Sequence, residues 1–555
     1  MRALKNNWMA GTVAVLPFLL GGYFGWTSAL VSAVCLCVLI GRIRRGKTLV
    51  VSRDVGFIAI MSIPICLLLS VFWAQDRGLA PLGFFQFLPA GLFALASLQE
   101  SPEKKEVAIE MIPWSGALMT VIGVPLSYLP VMEGHLLVNG RQAGFFEYPN
   151  TYALFLLLGL IVLATRTSYR WYHPVLAVIL LAGVFLSGSR TVFVLLLLTA
   201  VLLAVFQKNR TVRLVSMAAV PFAVAAAAIY AVATGDTGTI GRFLTTSLHS
   251  STLLGRLLYA RDALPVILRH PLGLGWGSYA YMQGSFQTGV YSVQTVHNDL
   301  LQLMLDAGWL PGVLVTIAVI KALFHRGGTL RRKLMLGILC AHGLFDFSLQ
   351  FLSILLLLVL LLENDNKTDV RMKRGDRRFL TAACSVLMAV SLYFGSASFM
   401  QYLGRYDAAL GMYGGYTTSL VSKMIETADL AEADGYAERI LRLNRYVAPA
   451  YRVRAAKAYS EGDFQTVIEQ QRKAIVCAPY DINMYTDYLD MLNAGVQLYE
   501  SAGEYESAEY CREQMRLVPG WIQDTIDKTS KLGWQIVDRP ELILSDSYLA
   551  MLSSL

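Results

Sequence analysis

Long uninterrupted apolar runs decide where most of this chain can fold. Two of them, TVFVLLLLTAVLLAVF (Thr191–Phe206) and SILLLLVLLL (Ser353–Leu362), contain no charged residue. Of the 555 residues, 55% are hydrophobic and only 15% are charged, whereas soluble domains carry about 25% charged residues. These values exclude a water-soluble globule for most of the chain. They predict an all-α fold class, a polytopic helical membrane protein.

The apolar runs also predict how often the chain crosses the membrane. A helix needs about 20 apolar residues to span the hydrocarbon, and the runs between charged breaks indicate about 12–13 spans. A second run closely follows the first, so we expect an uncleaved first helix rather than a signal peptide. The predicted spans lie near residues 7–20, 23–41, 55–72, 82–98, 107–130, 150–165, 172–187, 191–206, 213–233, 299–322, 333–346, 349–363 and 379–396.

The basic residues predict the orientation of these spans. With the N-terminus in the cytoplasm, 25 of the 32 lysines and arginines before residue 396 fall on the cytoplasmic side, as the positive-inside rule requires. The thirteenth span then places the C-terminal region outside the cytoplasm. The seven basic residues predicted on the outer side are Arg77, Arg141, Arg190, Arg242, Arg256, Arg261 and Arg269.

Charge divides the chain into two parts. Residues 396–555 hold 15 basic and 22 acidic residues, a net charge of −7, while the remainder carries +15. We predict a membrane body at 1–398, with a structured outer loop at 234–298, and an extracytoplasmic domain at 399–555. Membrane lipids are the expected surroundings of the body, and no nucleic-acid partner is expected.

The C-terminal domain contains an internal repeat. Tyr446 recurs as Tyr480 and Tyr451 as Tyr485, both 34 residues apart. The segment AKAYSEGDFQTVIEQQRKAI resembles the tetratricopeptide pattern, whose period is about 34 residues; a generic small helical bundle is the alternative. We predict a tetratricopeptide-like α-helical repeat domain. Because stacked helix pairs form concave surfaces, we expect it to bind a protein partner.

Polar groups in apolar surroundings mark candidate sites, and the first is SGSR, Ser187–Arg190. The apolar runs on either side would form helices of roughly 20 and 24 Å, shorter than the ~30 Å hydrocarbon core. We therefore expect Arg190 at the floor of an outward-facing cavity. A snorkelling arginine at a helix end is the alternative. One continuous helix over 174–206 is excluded, because it would be too long and would bury the arginine in lipid.

The second place is the outer loop. Gly255-Arg256 and Arg261-Asp262 are followed by the segment HPLGLGWG, whose alternate glycines suit a backbone passing close to another chain or a ligand. Their spacing is not that of a nucleotide-binding loop. Arg256 could equally be solvated, and we expect Arg261 to form a local ion pair with Asp262.

The third candidate site is His297-Asn298-Asp299, which lies at the outer end of a predicted span. A histidine at this interface is a candidate general base, because its ordinary pKa lies near working pH. A histidine that only caps or packs at the helix start is the alternative. Asp299, in the first helical turn, is sufficiently explained by the helix dipole.

These motifs, in this order, resemble those of the O-antigen ligase/polymerase superfamily. Two further elements, GFFEYPNTYA (Gly144–Ala153) and AHGLFDF (Ala341–Phe347), also match, so the resemblance covers about residues 50–363. Members are bacterial polytopic enzymes that act on undecaprenyl-pyrophosphate-linked glycans at the outer face of the cytoplasmic membrane. The resemblance implies such a glycan as donor and a glycan, lipid or protein as acceptor.

The resemblance also implies an inverting, metal-independent glycosyl transfer without a cofactor. Arg190 and Arg256 match the family's two arginines, which would stabilise the leaving pyrophosphate. His297 matches the histidine taken to deprotonate the acceptor hydroxyl. Asp306 stands where the family often has Glu, while His342 and Asp346 are interpreted as structural polar groups between helices. The expected substrate-binding residues are Arg141, Tyr148, Asn150, Arg261, Asn298 and Asp299.

Several functions stay open at this point. A ligase that attaches finished glycan, a polymerase that joins repeat units and a protein O-oligosaccharyltransferase share these motifs, and the repeat domain favours attachment to an acceptor. A transporter for lipid-linked sugars would predict internal repeats or broken helices near the midplane, and none is convincing. A membrane scaffold would not need Arg190, Arg256 and His297 on one face.

Overall fold

The computed structural model describes residues 7–218, 251–362 and 366–555. It is mostly helical, which confirms the predicted all-α membrane-protein class. Among the described residues, four helical segments are long and apolar enough to cross a membrane: Gly25–Arg45, Ala80–Leu98, Pro102–Leu126 and Arg374–Tyr402. Seven shorter apolar helices in the same residues are Trp8–Phe18, Val55–Ser70, Pro149–Ala164, Tyr172–Leu186, Arg190–Phe206, Trp309–Phe324 and Leu352–Leu361.

The remaining helices of the body are shorter or less apolar. The segment at 102–126 consists of Pro102–Ile109 and Ile112–Leu126. The others are Pro130–Leu136, Ser251–Arg269, Ser278–Met282, Asp299–Ala307 and Leu330–Gly343. The predicted span at 213–233 and the first part of the predicted loop, 234–250, lie outside the described residues apart from 213–218.

Two helices form the centre of the body. Pro149–Ala164 is almost entirely buried, with 0% exposure for each residue of 154–158, and every residue of Leu352–Leu361 is buried. Both are apolar on all sides, the composition of a helix surrounded by other helices. The helix Arg374–Tyr402 lies at the periphery and exposes large apolar side chains. Such an exposed apolar surface suits contact with lipid.

The predicted break before Arg190 is confirmed. The helices Tyr172–Leu186 and Arg190–Phe206 are separate, and Ser187–Ser189 connect them. Gly188 occupies a left-handed conformation with φ +57°, which favours glycine. The chain therefore turns at SGSR instead of continuing as one long helix.

The predicted single span at 299–322 is wrong. It consists of two helices, Asp299–Ala307 and Trp309–Phe324, divided at Gly308 with φ +91°. The backbone of Pro271 lies against this break and accepts a hydrogen bond from the Trp309 N–H at 2.9 Å. A Cβ atom at position 308 would lie 2.7 Å from the Leu272 carbonyl carbon. The glycine-rich loop therefore packs into a gap between the two helices.

Two small strand pairs were not predicted. Thr48–Ser52 pairs antiparallel with Lys367–Arg371, so that Thr48 lies opposite Arg371. Leu137–Val138 pairs with Arg141–Gln142 in the same way. The first pair joins the segment after Gly25–Arg45 to the segment before Arg374–Tyr402, two helices that also pack against each other.

The C-terminal domain is an array of helices in which each, from Tyr406–Met412 to Val518–Lys528, packs on the next. Two equivalent tyrosines support the internal repeat, because Tyr451 and Tyr485 each donate a hydrogen bond to the carbonyl six residues earlier, at 3.0 and 2.9 Å. The assignment to the tetratricopeptide type stays a prediction. The helices are Tyr406–Met412, Thr417–Glu426, Leu430–Leu443, Ala448–Ser460, Phe464–Cys477, Ile482–Ser501, Tyr505–Arg516, Val518–Lys528 and Asp546–Ser553.

The same 34-residue offset appears in the helix caps. Asp429 caps the helix Leu430–Leu443 through the Glu432 N–H, and Asp463 caps Phe464–Cys477 through the Thr466 N–H. A carboxylate at this position satisfies an amide that the first turn leaves without a partner. A disulfide between Cys477 and Cys511 is possible from the sequence, but both are free thiols in the structure.

A buried carboxylate attaches the C-terminal domain to the body. Asp76 accepts hydrogen bonds from the Thr417 hydroxyl at 2.7 Å and the Asn444 amide at 2.9 Å. Its own N–H donates to the Ser278 hydroxyl at 3.1 Å. Burial raises the pKa of Asp76, whereas these side-chain hydrogen bonds lower it. The loop after the helix Val55–Ser70 therefore holds two helices of the C-terminal domain.

Candidate active site

The site is built around Asp346, which lies between the helices Leu330–Gly343 and Leu352–Leu361 and is completely buried. Its carboxylate accepts hydrogen bonds from the Tyr148 hydroxyl and the Asn150 amide, each at 2.8 Å. It also forms a salt bridge with Arg256, whose Nη2 lies 3.2 Å from Oδ2. Three segments distant in sequence therefore meet at one carboxylate.

A second arginine extends this network. Arg141 donates from Nη2 to the Asn150 side-chain oxygen and from Nε to the Ser187 carbonyl, both at 2.8 Å. Asn150 thus connects Arg141 to Asp346. The structure brings the predicted residues Arg141, Tyr148, Asn150 and Arg256 together, although their roles in binding substrate stay predictions.

Arg256 retains unused donor capacity. Its side chain is 13% exposed, and its Nε is buried without a hydrogen-bond partner among the described residues. A guanidinium offers five donors in a planar fork that suits carboxylate or phosphate. Held by Asp346 on one side, Arg256 is therefore oriented to bind a further anionic group.

Arg190 is the first residue of the helix Arg190–Phe206. It follows Ser187, the residue whose carbonyl accepts from Arg141, by three positions. Among the described residues it has no hydrogen-bond or salt-bridge partner, and its depth in a cavity stays a prediction. Arg190 is therefore linked to the network through the turn at SGSR and not by direct contact.

His297 has the geometry of a base. Its Nδ1 lies 3.0 Å from the Thr295 carbonyl oxygen, which can only accept, so this bond assigns the proton to Nδ1 and the lone pair to Nε2. Its ring contacts the Phe347 ring edge to face, with centroids 5.0 Å apart. Burial lowers the pKa of His297 below its ordinary value, the Asp346 charge raises it, and the Arg256 charge lowers it.

The backbone at His297 is in an unusual conformation, with φ +53°. Residues other than glycine rarely adopt this left-handed region, and those that do concentrate at functional sites. The following residue, Asn298, caps the helix Asp299–Ala307 and donates to the Leu344 carbonyl at 2.9 Å. The histidine is therefore held in place by the helix start that follows it.

Two predicted binding residues, Asn298 and Asp299, make structural contacts between helices. Asp299 is buried and accepts a hydrogen bond from the Leu349 N–H at 2.8 Å. The Asn298 side-chain oxygen accepts from the Leu301 N–H at the start of the helix Asp299–Ala307, and its amide nitrogen donates to the Leu344 carbonyl at the end of the helix Leu330–Gly343. These contacts join the segment around His297 to the segment around Asp346. They position the site, and contact of either residue with substrate stays a prediction.

The expected ion pair between Arg261 and Asp262 is wrong. Arg261 is exposed, and the Asp262 carboxylate instead accepts from the Thr288 N–H and hydroxyl at 2.7 Å each, and from the Tyr291 hydroxyl at 3.1 Å. Burial raises the pKa of Asp262, and these hydrogen bonds lower it. The carboxylate faces the loop interior because neighbouring residues on a helix point in different directions.

Arg256 and His297 line one cleft of about 240 Å³. Sequence reasoning missed several of its residues, including a segment of the C-terminal domain. The full lining is Gly255, Arg256, Tyr259, Val290, His297, Ile536, Val537 and Asp538. Of the residues described, no group of three or more His, Cys, Asp or Glu side chains is arranged to bind a metal ion.

Sequence reasoning interpreted Asp346 as a structural polar group between helices but did not identify it as the centre of this network. The signal that points to it is the Asp-Phe pair in AHGLFDF, which places a charged residue inside an otherwise apolar stretch. A carboxylate there needs a cationic partner. Which arginine serves could not be deduced, because Arg256 lies 90 residues away.

The comparison with protein families agrees with this site. Residues 175–317 match a family model described as O-Antigen ligase, a range that contains Arg190, Arg256 and His297. No curated protein matches the chain. A family of glycosyltransferase-like membrane enzymes fits the apolar helices and the cleft described above. Residues 175–317 therefore form a domain of the O-Antigen ligase type, which supports the resemblance to the O-antigen ligase/polymerase superfamily.

Proposed function

We propose that the protein transfers a glycan from undecaprenyl pyrophosphate to an acceptor hydroxyl at the outer face of the bacterial cytoplasmic membrane. The observation that carries this proposal is one cleft lined by a histidine with a free Nε2 lone pair and by an arginine with unused donors. The first supplies a general base, and the second supplies a site for a pyrophosphate.

The proposed reaction is a single displacement. His297 Nε2 takes the proton of the acceptor hydroxyl while its oxygen attacks the anomeric carbon of the lipid-linked sugar. The bond from that carbon to the pyrophosphate oxygen breaks, and its electron pair leaves with undecaprenyl pyrophosphate. Because the oxygen attacks opposite the leaving group, the anomeric configuration inverts.

Arg256 would stabilise the charge that develops on the leaving pyrophosphate, and Arg190 would contribute from the turn at SGSR. Asp346 would keep Arg256 in place before substrate binds, so that little reorganisation is needed during reaction. In this proposal the residues of the chain supply the required proton transfer and charge stabilisation, without a metal ion or cofactor.

A ligase, a polymerase and a protein oligosaccharyltransferase would carry out this reaction on different acceptors. A glycan chain-length profile of cells with and without the gene, together with the pool of lipid-linked glycan, distinguishes them. Loss of surface glycan with full-length polymer on the lipid indicates a ligase or a protein oligosaccharyltransferase. Loss of long chains with single repeat units still attached indicates a polymerase. If neither the surface glycan nor the lipid-linked glycan changes, the proposed function is contradicted.

A further inference from the structure

We infer that the segment 530–538 of the C-terminal domain forms the acceptor-side wall of the catalytic cleft, where Asp538 binds hydroxyl groups of a polyhydroxylated acceptor. This inference rests on the proposed function, because it assigns a side of the same cleft. The C-terminal domain then contributes to the active site directly, in addition to any role in binding a partner.

The segment is fixed to the loop that carries Arg256. The Ser530 N–H donates to the Thr288 carbonyl at 2.9 Å, and the Ser530 hydroxyl donates to the same oxygen at 3.2 Å. Thr288 is itself held by the buried Asp262 through two hydrogen bonds of 2.7 Å. A connected chain of hydrogen bonds therefore leads from the helix Ser251–Arg269 to the C-terminal domain.

Close backbone packing adds to this attachment. A Cβ atom at Gly289 would lie 2.8 Å from the Gly533 Cα, and one at Gly533 would collide with the Thr288 carbonyl oxygen. Ile536, only 6% exposed, is buried in a small apolar cluster with Leu254 and Leu258 of the helix that carries Arg256. The segment therefore packs against the loop as part of the folded structure.

Beyond Ile536 the chain reaches the rim of the cleft. Val537 is 71% exposed. Asp538 is also exposed, and its side chain has no hydrogen-bond or salt-bridge partner in the described part of the chain. Both line the same cleft as His297 and Arg256. The Asp538 carboxylate is therefore available to accept hydrogen bonds from a ligand in this cleft.

The charges indicate which substrate this wall contacts. A carboxylate repels the pyrophosphate of the donor, whereas Arg256 attracts it. Asp538 therefore belongs to the side of the acceptor, where a carboxylate accepts hydrogen bonds from neutral hydroxyls. The wall also limits access of water to the reacting carbon, which a transfer enzyme needs in order to avoid hydrolysing its donor.

The test uses the full-length protein, lipid-linked glycan isolated from cells that lack the gene, and two probe acceptors, p-nitrophenyl glucoside and benzyl alcohol. Asp538→Ala is expected to raise the half-saturating concentration of the glucoside about tenfold or more, as expected for loss of a charged hydrogen bond. The half-saturating concentrations of benzyl alcohol and of the donor should stay unchanged. Glu513→Ala, which changes an exposed carboxylate of the same domain, is the matched control.

A second variant is designed to displace the whole segment 530–538 from the loop. Gly533→Val introduces atoms where the Thr288 carbonyl lies and is expected to increase the share of donor that is hydrolysed to free glycan. Gly520→Val is its control, because no atom lies within 4 Å of a Cβ atom at that position. Rescue of glucoside affinity by Asp538→Glu, in part or in full, would support the role of the carboxylate.

The outcomes separate this inference from the function on which it rests. If His297→Ala abolishes transfer while Asp538→Ala and Gly533→Val keep the parental glucoside affinity and hydrolysis share, the inference is wrong and the function stands. If the unaltered protein transfers no glycan to either probe or to membranes of the source cells, both are overturned.

Discussion

At the scale of single residues, the site depends on a buried carboxylate that orients an arginine. Asp346 is inaccessible to solvent and binds Arg256, Tyr148 and Asn150 at once. A buried charge of this kind is retained only with its partners. The arrangement explains how the chain keeps a guanidinium in an apolar region and leaves part of it free for an anion.

Asp346→Asn tests this arrangement. It keeps the shape of the side chain but removes the charge, which leaves Arg256 buried without its partner. We expect a loss of about 3–5 kcal/mol in the free energy of unfolding and at least a tenfold loss of transfer. Thermal unfolding of the detergent-purified protein measures the first and initial rates the second. Asp369→Asn, in an exposed strand, is the control. Equal stability and equal transfer rates of the two variants would contradict the role of Asp346 in holding Arg256.

The pH dependence of transfer tests His297 as the base. The reaction needs the neutral ring, so the rate should fall as pH drops through the pKa of His297. Burial lowers this pKa, so the acid midpoint of log(kcat/KM) should lie below 6.5. The Asp346 charge raises the pKa, so Asp346→Asn should move the midpoint lower still. A midpoint above 6.5 in the unaltered protein would be inconsistent with this environment.

At the scale of elements, a break in a helix brings the glycine-rich loop to the site. Gly308 divides the two helices, and Gly273, with φ +82°, approaches it so closely that a Cβ atom at Gly273 would lie 2.6 Å from the Gly308 nitrogen. The Leu274 N–H donates to the Leu305 carbonyl at 2.6 Å. The loop and the helix that follows His297 are therefore fixed to each other.

Gly308→Ala should weaken this junction. Its conformation, φ +91° and ψ −178°, is one that glycine adopts almost alone, and other residues there cost about 1–3 kcal/mol. Gly337→Ala, inside the helix Leu330–Gly343 with its nearest neighbour 3.9 Å from the new Cβ, should be neutral or stabilising by about 0.5–1 kcal/mol. Chemical denaturation of both variants checks this; equal stability of the two would show that the break is not needed.

Much of the element pattern could be predicted from sequence, and the exceptions share one cause. The break at SGSR was found because a charged residue between two apolar runs is a local signal. The break at Gly308 was missed because the apolar residues on both sides suggest continuity, and the loop that fills the gap begins more than 30 residues earlier. The strand pair of Thr48 with Arg371 depends on a partner still further away. Local periodicity does not encode such pairings.

Some residues of the candidate site could also be predicted from the sequence, and others could not. His297 could be selected because it lies in a short polar motif at the start of an apolar run, whereas Arg256 was selected because it matches an arginine of the family that the sequence resembles. The contact of segment 530–538 with the cleft could not be anticipated, since neither its composition nor its spacing differs from those of an ordinary loop. Only the folded chain shows that Ser530 meets the Thr288 carbonyl and that Asp538 lines the cleft.

At the scale of the whole molecule, the membrane body contacts the C-terminal domain near both ends of that domain. Asp76 holds the domain near its start, and the segment around Ser530 holds it near its end. The domain is therefore joined to the body on both sides of its repeat array. Binding of a protein partner by this array stays a prediction.

The predicted topology can be measured by labelling single cysteines with a membrane-impermeant maleimide. In a chain whose seven native cysteines are replaced, we expect Glu513→Cys to react in intact spheroplasts. Arg326→Cys, in a basic loop predicted to be cytoplasmic, should react only after permeabilisation. The reverse pattern would place the cleft on the cytoplasmic side and contradict the proposed use of an outward-facing donor.

The central claim is that the cleft at His297 transfers glycan from a lipid pyrophosphate. The most direct measurement follows released undecaprenyl pyrophosphate and glycosylated acceptor together, using the purified protein and its lipid-linked donor. The account predicts equal amounts of the two products, an inverted anomeric configuration, and a loss of about 10²–10⁴-fold in His297→Ala, with His325→Ala unaffected. Retained configuration, or undiminished transfer by His297→Ala, would contradict it.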